Sequence, residues 1–170
     1  MSGRQGSGRI LAIDFGTKRI GFALSDEDGW SAAPLSVWHR VSLEADLAEV
    51  RRLLDEHEVA ELVVGLPYRM DGSAGSSAAR AQQFIDAVRG VVGDVPLHTP
   101  DETLTTYEAE ERMHQLGLSP VQAKAQVDAY AALVILEEFL RARGTWVDAG
   151  VPESEGSPFT ARRSGRGRRR

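Results

Sequence analysis

The chain has 170 residues, of which 42% are hydrophobic and 26% are charged, as in an ordinary globular protein of one domain. It contains no cysteine, which excludes disulfides, thiolate metal sites and cysteine nucleophiles. The first nine residues lack the apolar core of a signal peptide, and no later apolar run reaches the length of a membrane span. We therefore expect a cytoplasmic protein that makes no contact with a membrane.

The basic residues are concentrated at the C-terminal end. Six of the 20 lysines and arginines lie in the last ten residues, so residues 1–160 hold 14 basic and 25 acidic residues, a net charge of −11. We expect 9–148 to form one folded domain, and 1–8 and the arginine-rich tail 149–170 to be disordered. The tail suits either of two roles, a solubilising appendage or an electrostatic contact with a phosphate backbone.

The first predicted strand ends in a carboxylate. Four of the five residues from Ile10 to Asp14 are apolar, which favours a buried strand, and Gly16 then turns the chain. Asp14 has two interpretations: it caps this turn through the N–H groups of Gly16 or Thr17, or it belongs to a functional site.

Apolar patterns predict the remaining elements. Strands are expected at 20–24, 35–38, 61–65 and 96–99. Helices are expected at 43–54, at 77–92, between Thr105 and Gly117, and at 120–142. This order predicts an α/β fold of three layers, with a mixed central sheet flanked by helices.

Two helices carry acidic residues whose placement matters. On the first helix the stripe of Leu43, Leu47, Val50 and Leu54 is expected to face the core, with Asp46 outside. The last helix has an inner stripe in which Asp128 is the one polar member: Val121, Ala125, Asp128, Ala132, Ile135 and Phe139.

Asp128 again allows more than one interpretation. A rotated helix would leave it at the edge of the stripe, or it could pair with Lys124 four residues earlier. Such an exposed pair stabilises a helix by only a few tenths of a kcal/mol, so we favour a functional carboxylate.

A third acid, Glu102, follows the last strand as Asp14 closes the first. Its neighbour Asp101 points to the opposite face in an extended segment, so we expect only one of the two in a site. Carboxylates from two strands and a helix, without thiols, indicate Mg²⁺ or Mn²⁺. Two such ions about 4 Å apart would serve the hydrolysis of a phosphodiester.

Four segments together resemble the YqgF family, also called RuvX. They are residues 14–21, 64–67 with 70–72, 101–106, and 124–128 followed by 131–132 and 135–136. The resemblance covers residues 9–142 and implies a ribonuclease H-like fold. It also implies that Asp14, Glu102 and Asp128 are the catalytic acids that bind the metal. Thr103 departs from the family, which usually has arginine after the glutamate.

Cations beside these motifs are candidates for phosphate contacts because the rest of the body is acidic. They are Lys18, Arg19, Arg69, Arg80 and Lys124. The tryptophans, Trp30, Trp38 and Trp146, are expected to fill core edges rather than to stack on bases.

The resemblance implies a metal-dependent nuclease, which we expect to act in 5′-end maturation of pre-16S ribosomal RNA, with structured RNA and ribosomal precursor particles as partners. The alternative is a Holliday junction resolvase that acts on branched DNA, for which a two-fold homodimer would be suited. A non-catalytic nucleic-acid-binding module is a further alternative. The stretch from Asp14 to Gly21 also resembles the phosphate loop of actin-like ATPases, but those need a second lobe and a second such loop.

Overall fold

The computed structural model of the protein describes residues 8–65, 76–100 and 106–145. The strands are β1 (Arg9–Phe15), β2 (Arg19–Ser25), β3 (Ala32–His39), β4 (Val59–Gly65) and β5 (Leu97–His98). The helices are α1 (Leu43–Glu56), α2 (Ser76–Val92), α3 (Thr106–Gln115) and α4 (Pro120–Arg143). The predicted division into 1–8, 9–148 and 149–170 stays a prediction, since residues 1–7 and 146–170 lie outside the described residues.

The five strands form one mixed sheet in the order β3-β2-β1-β4-β5. β1 lies at its centre, antiparallel to β2 and parallel to β4. β3 pairs antiparallel with β2 over most of its length, which makes it longer than the predicted 35–38. The mixed central sheet predicted from the sequence is confirmed.

Helices cover both faces of this sheet. Leu11, Ile13 and Phe15 of β1 pack with residues of α1 and α2 on one face. Ile10 and Ala12 pack with residues of α3 and α4 on the other. Because side chains alternate along a strand, Asp14 faces the α4 side. The three-layer architecture is therefore confirmed, and Asp14 lies between the sheet and its longest helix.

Helix α4 begins and ends where local chemistry predicts. Ser119 accepts from the Gln122 N–H while the Gln122 side chain accepts from Ser119, a complete capping box followed by Pro120. Gly144, with φ of 80°, ends the helix in the left-handed conformation.

Glu61 of β4 fastens the C-terminal end of α4 to the sheet. Arg143 donates to both of its carboxylate oxygens, at 2.8 and 2.6 Å, and His98 Nε2 lies 2.8 Å away. Arg143 also stacks on the Phe139 ring at 4.6 Å. The hydrogen bond from Arg143 is the main cause that lowers the pKa of Glu61, with burial opposing it.

The predicted inner stripe of α4 is wrong in its first half. Val121 is 80% exposed, and Ala125 is exposed as well. Ala132 and Ile135 of the predicted stripe are buried, and the other buried residues of the helix are Ala129, Tyr130, Leu133, Leu136, Glu137 and Leu140. The first turns of α4 border a groove through Pro120, Val121, Lys124 and Ala125, and full burial begins at Ala129. Asp128 consequently lies at the edge of the buried stripe.

Asp46 is also misplaced by the sequence analysis, since its side chain is fully buried rather than outside. It accepts hydrogen bonds from Trp38 Nε1 at 2.9 Å and from Arg40 Nε at 2.8 Å, which supply what a desolvated carboxylate requires. Helical periodicity misses this arrangement because both partners come from the preceding strand and loop.

The tryptophans differ from one another. Trp38 is partly buried and donates to Asp46, whereas Trp30 is 66% exposed at the β2–β3 turn, contrary to the expectation that it fills a core edge. Trp146 lies outside the described residues. No helix within the described ranges is both long and apolar enough to cross a bilayer.

At Gly21 of β2 the backbone of α4 lies very close to the sheet. A Cβ atom added there would overlap the carbonyl oxygen of Asp128, which belongs to the helix backbone and has no room to move aside. Only glycine therefore allows α4 to lie against β2 at this position.

We predict that Gly21→Ala destabilises the protein by about 3 kcal/mol or more, because the helix must lift from the sheet. Gly90→Ala is the matched control, since a Cβ added there in α2 meets nothing within 4 Å. The control should be neutral or stabilising by up to about 1 kcal/mol. Urea unfolding of both variants measures this; similar stabilities for the two would contradict the described contact.

Candidate active site

Asp14 lies at the C-terminal end of the central strand between two glycines. It pairs with Gly21 of β2 on one side and with Gly65 of β4 on the other. Gly21 places no side chain over the sheet there, so the α4 backbone at Asp128 comes close to the sheet beside the carboxylate.

The charge of Asp14 has no partner among the described residues, and its carboxylate accepts no hydrogen bond from them. Burial, and after it the negative charge of Asp128, raise the pKa of Asp14 from 3.8 to about 7. The turn-cap interpretation is not supported, because the Gly16 N–H donates to the Arg19 carbonyl at 3.0 Å instead.

Asp128 is brought beside Asp14 by the contact of α4 with Gly21. Its partner is Arg19 of β2, whose Nε lies 2.8 Å from Asp128 Oδ2. Lys124 was one predicted partner for Asp128, but Arg19 is the residue that makes the ion pair. The two are 109 positions apart, so helical spacing could not reveal the pair.

A groove of about 550 Å³ opens next to this ion pair. Its lining residues are Arg19, His39, Pro120, Val121, Lys124 and Ala125. Lys124 lies one helical turn before Asp128 and is exposed. Two of the predicted phosphate contacts, Arg19 and Lys124, are thus brought together beside Asp128.

Arg80 lies elsewhere. It lines a separate cavity of about 330 Å³ with Thr17, Arg40 and Phe84, on the α1 and α2 side of the sheet. Lys18 is exposed in the turn between β1 and β2. Arg69, Asp101, Glu102 and Thr103 lie outside the described residues.

Arg40 is a supporting residue that the sequence analysis missed. Besides its bond to Asp46, its Nη1 donates to the carbonyls of Gly16 and Thr17 at 3.3 Å, and its guanidinium lies 4.6 Å from the Phe15 ring centre. It therefore holds the turn that follows Asp14 from the opposite face. No local pattern marks such a residue, because its partners come from two separate segments, residues 15–17 and helix α1.

Metal-ligand geometry is incomplete in the part of the chain that can be described. Within residues 8–65, 76–100 and 106–145, no group of three or more histidines and acids gathers as an ion-binding cluster. Asp14 and Asp128 supply two carboxylates, and the third predicted acid, Glu102, lies outside these ranges.

The model of the family described as "RuvX: Holliday junction resolvase" matches residues 8–142. The chain belongs to the RuvX family. A relative from Roseiflexus sp. (strain RS-1), named "Putative pre-16S rRNA nuclease", is 41% identical over 133 residues, covering 78% of this chain and 94% of the relative. One of the same name from Anaeromyxobacter sp. (strain Fw109-5) is 45% identical over 135 residues, covering 79% and 98%.

The fold of this RuvX family member also resembles a solved resolvase structure. T. thermophilus RuvC in complex with Holliday junction substrate superposes with a TM-score of 0.54 at 17% identity, covering 81% of this chain and 97% of that one. The predicted family, the ribonuclease H-like fold and the enzyme class, a nuclease, are confirmed. The roles of individual residues stay predictions.

The raised pKa of Asp14 predicts how stability changes with pH. The folded protein binds this proton more tightly than the unfolded chain, so the free energy of unfolding should fall as pH rises from about 4 to about 7. Asp14→Asn removes the charge, and we expect it to be more stable than the wild type at pH 8 by on the order of 2 kcal/mol. At pH 4 the two should be nearly equal.

Urea unfolding in EDTA at both pH values measures this difference without bound cations. Asp28→Asn serves as the control, because Asp28 is an exposed acid in the β2–β3 turn. It should follow the wild-type pH dependence. An Asp14→Asn variant no more stable than the wild type at pH 8 would contradict the described desolvation.

Proposed function

We propose that this chain is a metal-dependent nuclease in which Asp14, Glu102 and Asp128 are the catalytic acids that hold divalent cations. The observation that carries the proposal is Asp14 itself. A carboxylate at the end of a buried central strand, without a cationic partner among the described residues and beside a second acid, destabilises the cation-free fold. A protein retains such a charge where a ligand neutralises it.

The chemistry of the donor set fits Mg²⁺ or Mn²⁺, which prefer oxygen ligands. Asp14 would contribute its carboxylate from β1, which is hydrogen-bonded to a neighbouring strand on each side. Asp128 would contribute its carboxylate from α4, which lies against Gly21. We propose that two ions bind there with Glu102. When bound, such ions lower the pKa of a water molecule and neutralise charge on the leaving oxygen of a phosphodiester.

The residues of the chain itself would hold the strand in place. Lys18 and Arg19 follow Asp14 across the turn, and Lys124 lies one turn from Asp128, so all three can meet phosphates near the acids. Arg80, in the cavity on the other face, would contact a more distant phosphate, and Arg69 is proposed on its sequence position alone.

The proposed substrate is precursor 16S ribosomal RNA at its 5′ end, within ribosomal precursor particles of the cytoplasm. The names of relatives that are 41% and 45% identical across nearly their whole length support this substrate. Structured RNA of this kind presents the phosphate charge that the Arg19 and Lys124 side of the groove attracts.

A second candidate is resolution of Holliday junctions. The description of the family model and the fold shared with a junction-bound RuvC support it. A symmetric cut of two strands would require two copies of the chain related by a two-fold axis, so this candidate includes a homodimer.

We predict that Asp14→Asn lowers cleavage by at least about 100-fold while binding is kept, because the lost carboxylate holds a cation rather than the strand. Cleavage of single-stranded RNA and of a four-way DNA junction should be measured side by side in one Mn²⁺ buffer. RNA-selective cleavage supports the first candidate, and junction-selective cleavage supports the second.

Asp28→Asn is again the matched control and should cleave like the wild type. Unchanged cleavage in Asp14→Asn would contradict the catalytic assignment. Binding without cleavage of either nucleic acid by the wild type would favour a non-catalytic binding module.

The arginine tail is proposed as an additional electrostatic contact. Six arginines lie within residues 161–170, and single-stranded nucleic acid releases about 0.7 counterion per contact. Removal of these residues should therefore reduce the salt-dependence slope of RNA binding by up to about 4. A slope that does not change would identify the tail as a solubilising appendage.

A further inference from the structure

Arg19 stands between the acid pair and the groove. Its Nε is 2.8 Å from Asp128 Oδ2, while the side chains of Arg19 and Asp128 are 43% and 22% exposed. The same arginine also lines the groove with Lys124. One guanidinium thus borders both the proposed cation site and an open surface.

The groove has the size and the chemistry for one unit of a nucleic-acid strand. Its volume of about 550 Å³ falls within the range of small-molecule sites. Arg19 and Lys124 give it a cationic side, and Pro120 and Val121 give it an apolar side, with Val121 80% exposed. A nucleotide has the matching composition, a phosphate joined to a sugar and base with apolar faces.

In the cation-free protein the guanidinium of Arg19 is already paired with the Asp128 carboxylate. A divalent cation at the Asp128 carboxylate competes with this ion pair, since Arg19 Nε already bonds to Oδ2 and the positive charge of the cation repels the guanidinium. Once released, a half-exposed arginine at the rim of a groove has a phosphate there as its nearest anionic partner.

We propose that this groove binds a phosphodiester of the substrate strand, and that Arg19 exchanges Asp128 for that phosphate when a divalent cation binds at Asp128. The proposal rests on the proposed nuclease function and adds a link between cation binding and strand binding at the same site. Cation binding prepares Arg19 for the strand, and a bound phosphate holds Arg19 away from Asp128. Because such coupling is reciprocal, each ligand raises the affinity for the other.

The exchange predicts opposite effects of one substitution on two ligands. Without nucleic acid, Arg19→Gln should bind Mn²⁺ and Ca²⁺ at least about 3-fold more tightly than the wild type, because the competing guanidinium is gone. Isothermal titration calorimetry measures both affinities. Arg19→Lys, which keeps the charge, should lie between the two, and circular dichroism verifies that the variants fold.

The same variant should bind a nucleic-acid strand less well, but only with cations present. With Ca²⁺, used to slow cleavage, Arg19→Gln should weaken binding of a fluorescein-labelled single-stranded RNA and reduce its salt-dependence slope by about 0.7. In EDTA the variant should match the wild type, because Arg19 is then held by Asp128. Fluorescence anisotropy over a salt series measures both conditions.

Two further variants separate the exchange from a general loss of charge. Lys124→Gln removes a groove cation for which no bond to Asp128 is seen, so RNA binding should weaken equally with Ca²⁺ and in EDTA. Arg89→Gln removes an exposed cation in the last turn of α2 and should change neither affinity.

A cation affinity of Arg19→Gln equal to or lower than that of the wild type would overturn the proposal, because Arg19 would then orient Asp128 for the cation. An equal loss of RNA affinity in Ca²⁺ and in EDTA would also overturn it. The calorimetric result does not require cleavage, so a failure of the nuclease assignment is recognised separately by absent cleavage in the wild type.

Discussion

The contact between the α4 backbone and Gly21 is the constraint on which the candidate site depends. Gly21 pairs with Asp14 across β1 and β2, and the helix carbonyl of Asp128 lies directly over it. A single glycine therefore sets the separation of two acids that are far apart in the sequence. A larger residue at position 21 would push the helix away and so increase the distance between Asp14 and Asp128, without contacting either carboxylate.

The energetic consequence is a candidate site that weakens the fold. Asp14, which has no cationic partner among the described residues, costs stability in the cation-free protein once its proton is lost. By contrast Asp46, which helix α1 buries on the other side of the sheet, has two donors, and one of them, Arg40, also bonds to the turn after Asp14. The electrostatic cost therefore falls on the residue whose charge has a proposed ligand.

Sequence reasoning succeeded where structure follows from local patterns. Helix α2, predicted at 77–92, runs from Ser76 to Val92 and buries a regular stripe that includes Phe84 and Ile85. Helix α4, predicted at 120–142, runs from Pro120 to Arg143, since its capping box at Ser119 and its final Gly144 are local signals. The resemblance of spaced motifs identified the family and, through it, the fold.

It failed where a position depends on a partner distant in the chain. The helical pattern places Asp46 on the solvent side, whereas in the structure Trp38 and Arg40 donate to its buried carboxylate. The rotation of α4 and the bond from Arg19 to Asp128 both arise from how the helix lies on β2, which no single-helix pattern encodes. The positions of Arg69 and Glu102 fall outside the described residues, so their predicted roles are neither confirmed nor wrong.

Helix α4 is secured very differently at its two ends. After Asp128, which contacts Gly21, the helix is held by core packing and by the Arg143 bonds to Glu61. Among its first turns, Ala123 and Val127 pack against the core, and both are only partly buried. The helix is thus held firmly from Asp128 to its C-terminal end, while its first turns border the groove. A nucleic-acid strand in the groove would contact the first turns, the least firmly held part of the helix, while Asp128 keeps its position over Gly21.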